Sequence, residues 1–295
     1  MVTRTSAPQG DDAGTALLSA PGDVVSVGTR RVHTMTAGPA SITTGVLFES
    51  ALGCPCSEWV IVQGQLAQEG IRSIAYDRPG VGWSPVADRA DTPDEHAHHL
   101  SALLEELRCD RIVMVGHSVG GLLARSFWLR HPEKIAALVL VDASHPDQHL
   151  RSSRQREGFR ALQAQLRAAR RRPAPLALTG DVALLPSPYD ELTHIAATTP
   201  SAIKAALAEL KSWLGAWDRD AARADDLDDL PIAVLTAGES VARDPAHRVL
   251  QRELLALSTS ARHVVYEGAT HQGIVMNERF ATQVAAEISD AFRRS

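Results

Sequence analysis

Apolar residues recur along this chain in two patterns that alternate from about residue 24 onward. One is the continuous run, as in Ile112-Val113-Met114-Val115 and again over 135–141. The other spaces apolar side chains three and four apart, as in Leu100, Leu103, Leu104 and Leu107. Unbroken runs suit strands covered on both faces, and the wider spacing lines one side of a helix. Strands are predicted on this basis at 24–27, 31–36, 45–48, 71–76, 111–115, 135–141, 231–237 and 261–266. Helices are predicted at 57–69, at 119–130, at 245–257, at 278–292, and behind the capping box Thr92-Pro93-Asp94-Glu95. Strand and helix alternating in this way imply an α/β fold, a mostly parallel sheet with helices on both faces.

The rhythm breaks between 146 and 229, where helical stripes occur without a strand. One stripe is Phe159, Leu162, Leu166 and Ala169, on a segment studded with arginine from Arg151 to Arg172. A second opens at Thr199-Pro200 and carries Ile203, Leu207, Leu210, Trp213, Leu214 and Trp217; acidic residues from Asp218 to Asp229 follow it. The predicted organisation is a flexible N-terminal tail over 1–22, an α/β core over 23–145 and 230–295, and a helical insert over 146–229. No internal repeat is present.

Composition narrows the function classes. The 295 residues are 44% hydrophobic, ample for a buried core, and 30 basic against 35 acidic residues leave a net charge of -5. That balance argues against a nucleic-acid binder. No apolar stretch approaches a membrane span and no signal-peptide core follows Arg4, so a cytoplasmic protein without obligatory membrane association is expected. Cys54, Cys56 and Cys109 are too few and too irregular for a disulfide framework, which fits a reducing compartment. Cys54-Pro55-Cys56 lacks redox spacing and is read as a loop. His96, His98 and His99 open a helix; His96 and His99 share a face, but no further ligand is evident, and a solvated helix start is expected rather than a metal site.

The chemistry centres on Gly116-His117-Ser118-Val119-Gly120-Gly121, set between a predicted strand and a predicted helix. In that context G-x-S-x-G is a sharp turn that projects the serine from the carboxyl edge of the sheet, with glycines where a Cβ would obstruct it. The helix start behind it offers free N–H groups and a positive partial charge to a developing oxyanion. Ser118 is therefore the predicted nucleophile, with Val119 N–H as one oxyanion donor. His117 is read as a packing residue.

Three blocks together resemble the α/β-hydrolase superfamily over roughly 24–292: Tyr76-Asp77-Arg78-Pro79-Gly80-Val81-Gly82-Trp83-Ser84, the turn at Ser118, and Gly268-Ala269-Thr270-His271. The resemblance implies that His271, last in chain order, is the general base, a role suited to a side chain with a pKa near 6.5. It implies a cap over the active site at 146–229, and it implies that no metal or organic cofactor takes part. A serine rather than an aspartate at the turn disfavours dehalogenase chemistry. Family members usually carry the triad acid a few residues beyond a glycine after the strand that follows the insert, and here that place falls on Val241. Asp142, at the end of the 135–141 strand, is the first candidate, with Glu239 and Asp244 as alternatives; Asp244 also suits the N-cap of a helix starting at Pro245. The second oxyanion donor usually follows the third strand, often in a His-Gly sequence; here Glu49-Ser50-Ala51-Leu52-Gly53 stands there, and Leu52 takes the donor's position. Trp213 and Trp217 are candidate walls of an apolar acyl pocket. The expected activity is hydrolysis of a small carboxylic ester, thioesters and lactones included, by a monomer or homodimer. A lyase-type reaction on the same fold and a non-catalytic binding role are the alternatives.

Overall fold

In the computed structural model, which describes residues 20–86, 88–171 and 180–294, eight strands form one sheet. Residues 1–19, and so most of the expected tail, lie outside that description, as does Arg172. In chain order the elements are β1 (Asp23–Val27), β2 (Arg30–Ala37), β3 (Thr44–Glu49), α1 (Val60–Gln68), β4 (Ser73–Tyr76), α2 (Pro93–Glu106), β5 (Arg111–His117), α3 (Gly120–Trp128) and β6 (Ile135–Val141). Then come α4 (Gln148–Arg151), α5 (Ser153–Arg171), α6 (Tyr189–Thr198), α7 (Pro200–Ser212) and α8 (Asp218–Ala221). The chain ends with β7 (Ile232–Ala237), α9 (Gly238–Arg243), α10 (Pro245–Glu253), β8 (Ala261–Tyr266), α11 (Gly273–Met276) and α12 (Glu278–Arg294).

The sheet order is β1-β2-β4-β3-β5-β6-β7-β8. β1 and β2 pair antiparallel, as do β2 and β4, and all later pairs are parallel. The chain turns from β4 back past β3 to β5, so the order of strands reverses there. In open α/β sheets a crevice forms beyond the carboxyl ends of the strands at such a reversal. Register aligns those ends: Glu49 of β3 is opposite Gly116 of β5, His117 opposite Val141 of β6, and Val141 opposite Leu235 of β7.

Two apolar layers cover the sheet. One packs Trp59, Val62 and Leu66 with Ile274, Val284 and Ile288 over Phe48, Val113 and Val139. The other packs Leu100, Leu104 and Phe127 over Leu47, Met114 and Leu140. Trp59 is fully buried and stacks on Phe48 with ring centroids 4.5 Å apart, and truncating such a side chain to alanine typically costs about 3–5 kcal/mol. The helix predicted from residue 57 begins as a 3₁₀ turn over Cys56–Trp59 before becoming α1. The Thr92 capping box is present in full, and Thr199 caps α7 by accepting from Ala202 N–H.

Between β6 and β7 the described residues are helical and contain no strand. α5 and α7 lie side by side, and a third apolar cluster (Leu166, Ile203, Ala206, Leu210) joins them to Val119, Leu122 and Leu123 at the start of α3. Among the described residues no helix is long and apolar enough to cross a membrane.

Candidate active site

β5 ends at His117, and the chain turns at Ser118 with φ of +55°, a left-handed conformation that costs a non-glycine residue about 1–2 kcal/mol. The turn is held from both sides: Ser118 N–H donates to the Val141 carbonyl (3.1 Å), and Ser144 N–H donates to the Ser118 carbonyl (2.8 Å). A Cβ at Gly120 would run into the backbone of Glu49, so the helix start approaches β3 more closely than any other residue allows. Ser118 itself is 6% exposed, at the floor of a cavity of about 300 Å³.

His271 comes from the loop between β8 and α11. Its Nε2 lies 3.0 Å from Ser118 Oγ and its Nδ1 lies 2.6 Å from Asp142 Oδ2. Asp142 sits directly after β6, also at positive φ (+38°), with its N–H bonded to the Leu235 carbonyl at 2.6 Å. The fully enclosed carboxylate accepts from Ala237 N–H (3.1 Å) and Ser240 Oγ (2.8 Å), and His247 Nε2 lies 3.0 Å from Oδ1. Burial favours the neutral acid, but the hydrogen bonds from His247 and His271 outweigh it and hold Asp142 well below the usual carboxylate range. The three residues named first from the sequence therefore meet in one chain of hydrogen bonds.

Other sequence expectations fall elsewhere. Glu239 borders the cavity, but its carboxylate pairs with Arg243 (2.5 Å), one turn on, and not with His271. Asp244 accepts from Ala246 N–H and from Ser152 Oγ, so it caps α10 and ties to it the residue between α4 and α5. Val241 is buried. Trp213 lines the cavity, whereas Trp217 is a correction: it is 1% exposed, packs in the cluster around Val119 and donates its indole N–H to the Asp91 carbonyl (3.0 Å). A π turn over Trp213–Trp217 alters the angle that a regular helix would set between the two indoles. His96 is likewise not solvated; it is buried with Nε2 2.7 Å from Glu49 Oε1, and His99 Nδ1 lies 3.0 Å from Asp91.

Val119 N–H and Leu52 N–H, the two expected oxyanion donors, meet no acceptor among the described residues. Their neighbours are engaged: Ala51 N–H donates to Glu58 (2.9 Å), Gly53 N–H to Glu209 (2.8 Å) and Cys54 N–H to the Ala51 carbonyl (3.1 Å). Glu58, fully buried, also lies 3.3 Å from His117 Nδ1, and His117 Nε2 is 2.9 Å from the His271 carbonyl. Burial opposes charge on both, but their mutual attraction prevails: His117 is raised and Glu58 lowered from their ordinary values. This pair links the Leu52 loop to the His271 loop. Neither Glu58, Ser240, His247 nor Glu209 stands in a motif, and no local pattern in the sequence marks them.

A donor set of metal-binding type exists in one place among the described residues: His33, Cys56 and Asp77 offer atoms within 4.8 Å of one another. Asp77 already lies 2.7 Å from His33 Nδ1 and accepts from Cys56 N–H (2.7 Å) and Trp83 N–H (2.9 Å). Those bonds give the three residues a structural occupation, joining β2 to the loop after β4.

The model of the alpha/beta hydrolase family matches residues 46–287. RutD of Variovorax paradoxus (strain S110), provisionally named a carbamate hydrolase, is 37% identical over 120 residues, which is 40% of this chain and 45% of RutD. The 2-hydroxy-6-oxononadienedioate/2-hydroxy-6-oxononatrienedioate hydrolase of Klebsiella pneumoniae is 28% identical over 140 residues, 46% of this chain and 48% of that protein. The chain thus spans less than half the length of either relative. Among solved structures, the esterase EaEST of Exiguobacterium antarcticum superposes with a TM-score of 0.70 at 17% identity, covering 92% of this chain and 99% of its own. The enol-lactonase of Burkholderia xenovorans LB400 gives 0.69 at 19% identity, with the same coverage. At these identities the two structures speak for the fold alone.

Proposed function

This chain belongs to the alpha/beta hydrolase family, and from that premise we propose that it hydrolyses a small carboxylic ester, thioester or lactone through an acyl-enzyme on Ser118. The observation that carries the proposal is the hydrogen-bonded chain Ser118 Oγ–His271–Asp142, 3.0 and 2.6 Å long. With Nδ1–H donated to Asp142, the Nε2 lone pair of His271 faces the serine hydroxyl. As Ser118 Oγ bonds to the substrate carbonyl carbon, its proton passes to Nε2 and the carbonyl oxygen becomes an oxyanion. The N–H groups of Val119 and Leu52 receive that charge, and losing one such donor typically costs about 100- to 1,000-fold in rate. Collapse breaks the bond to the alcohol or thiol, which leaves with the proton from His271. Water then repeats the sequence: His271 takes its proton, the hydroxide oxygen bonds to the acyl carbon, and Ser118 departs reprotonated with release of the acid. Asp142 stays anionic throughout and steadies the imidazolium.

In this reading residues 146–229 form a cap on a core of 23–145 and 230–295, and Trp213 is an apolar wall for the acyl group. A small-molecule substrate and a cytoplasmic site of action are part of the proposal; Cys54, Cys56 and Cys109 are all unpaired and buried, as a reducing compartment allows. The test is labelling with a fluorophosphonate probe followed by peptide mapping, together with turnover of p-nitrophenyl esters of varied acyl length. The modification should fall on Ser118 and vanish in Ser118→Ala. Equal labelling of that variant, or no turnover of any ester by the parent, overturns the proposal.

A further inference from the structure

Arg78, from the motif after β4, is buried and fully occupied. Its Nε donates to Glu209 Oε1 (2.6 Å) and its Nη2 to Glu209 Oε2 (3.0 Å). Nη1 donates to the Ser50 carbonyl (2.8 Å) and lies 3.3 Å from Glu49 Oε2, and Nη2 also donates to the Ala51 carbonyl (2.8 Å). Glu209 is itself 2% exposed and belongs to α7, in the insert, 131 positions from Arg78 in sequence. The same Oε2 accepts from Gly53 N–H (2.8 Å). One turn earlier on α7, Ala206 lies so close that a Cβ at Gly53 would stand 2.8 Å from its own Cβ, and Gly53 has φ of +63°.

The loop after β3 is thus gripped on both sides of Leu52. The carbonyls of Ser50 and Ala51 are held by Arg78, and the N–H of Gly53 is held by Glu209. We propose that Glu209 is a positioning residue for the Leu52 oxyanion donor, so that the insert completes the catalytic machinery of the core and does more than roof it. The inference rests on the oxyanion role of Leu52 set out above. Its physical basis is the planar fork of the guanidinium, whose donors hold two carbonyls and the Glu209 carboxylate at once, and the low dielectric around it, where such bonds are strong. A donor moved by an ångström forfeits much of its effect on the transition state.

The experiment compares Glu209→Gln, Arg78→Met and the double variant R78M/E209L with the parent. The Gln side chain presents an NH₂ where Arg78 needs an acceptor, so the clamp opens without loss of volume. Removing both charges leaves Glu49 without Arg78 but still bonded to His96 (2.7 Å), and melting temperature should recover relative to the single variants, as apolar replacement of a buried ion pair often allows. Two readouts decide the proposal. Exchange of the Gly53 amide with solvent deuterium should rise in the two variants that lack the Glu209 carboxylate, and this readout needs no activity. Initial-rate kinetics should show kcat lowered by about 10- to 100-fold with KM little changed, in the stability-restored double variant as well as in the singles. Unchanged Gly53 exchange overturns the clamp. A double variant that regains parental kcat along with its stability overturns the positioning role and leaves Glu209 purely structural. Absence of ester turnover in the parent would fall on the ester reading alone, because the amide exchange still decides the clamp.

Discussion

His247 and Asp142 are joined by a hydrogen bond of 3.0 Å, on the carboxylate oxygen opposite the one nearest His271. The triad acid proposed here therefore serves two imidazoles. His247 lies on α10, is 4% exposed, and has no partner for its Nδ1 among the described residues. Burial works against its charge, but the bond and the attraction to Asp142, aided by Asp244, leave its pKa raised. A raised value in the folded state gives a stabilising contribution that is complete below the ordinary histidine value of about 6.5 and fades as pH climbs through the folded value. His247→Gln keeps a donor for Asp142 but does not titrate. Its melting temperature should fall less than the parent's between about pH 6.5 and 8. Parallel melting curves across that range would show that the Asp142 bond does not govern the proton on His247.

The first two of the three carboxylates weighed from the sequence can be separated by conservative amides. Asp142→Asn would leave His271 facing an amide and favour the wrong tautomer, with kcat expected to drop by roughly 10³- to 10⁴-fold. Glu239→Gln should stay within about threefold of the parent, since that carboxylate pairs with Arg243 near the surface, where such pairs contribute little. Steady-state kinetics on one p-nitrophenyl ester suffices; the reverse ranking would move the acid to Glu239.

His149 makes the opposite pH prediction. It packs against Phe159 and Trp213 with ring centroids 5.0 and 5.1 Å away, and burial, then Arg156, push its pKa down to about 4. The folded chain resists a proton that the unfolded chain accepts near pH 6.5, so stability should decline as pH drops from about 6.5 towards 4. His149→Phe removes one such group and should flatten that decline in thermal melts. A residual slope is expected from His145, whose pKa burial and Arg125 also lower to about 4. An unchanged slope would mean that His149 is protonated without cost.

Gly158 faces the cavity from α5, and a Cβ there meets nothing within 4 Å. Gly158→Leu should therefore fold normally, with roughly 0.8 kcal/mol gained from helix propensity. It should raise KM for long-chain esters while leaving acetate esters unaffected. If both chain lengths respond alike, the acyl group does not run along this face of α5.

Several features were legible without coordinates because their causes are local. The alternation of continuous and three-four spaced apolar residues is a direct consequence of which faces strands and helices bury, and it matches the sheet and its flanking helices. Gly116 and Gly120 around Ser118, the Thr92 capping box and Asp244 before Pro245 are short-range signals of turn and cap. Even the wide separation of Ser118 and His271 was bridged by their positions at strand ends, since parallel strands bring their carboxyl ends to one edge.

What periodicity does not contain is the identity of the neighbour that each face meets. Asp142, Glu239 and Asp244 all stand at the same edge of the sheet and read alike in the sequence. The register of β6 against β5 and β7 turns Asp142 alone beneath His271, across 129 positions of chain. Trp213 and Trp217 share a predicted stripe, yet only packing between α7, α8 and α3 decided that one borders the cavity and the other fills the interior. The grip of Glu209 on Arg78 and Gly53 belongs to the same class, for it depends on where the insert settles on the core. Local chemistry named the candidate reacting groups, and long-range packing chose the residues that hold them still.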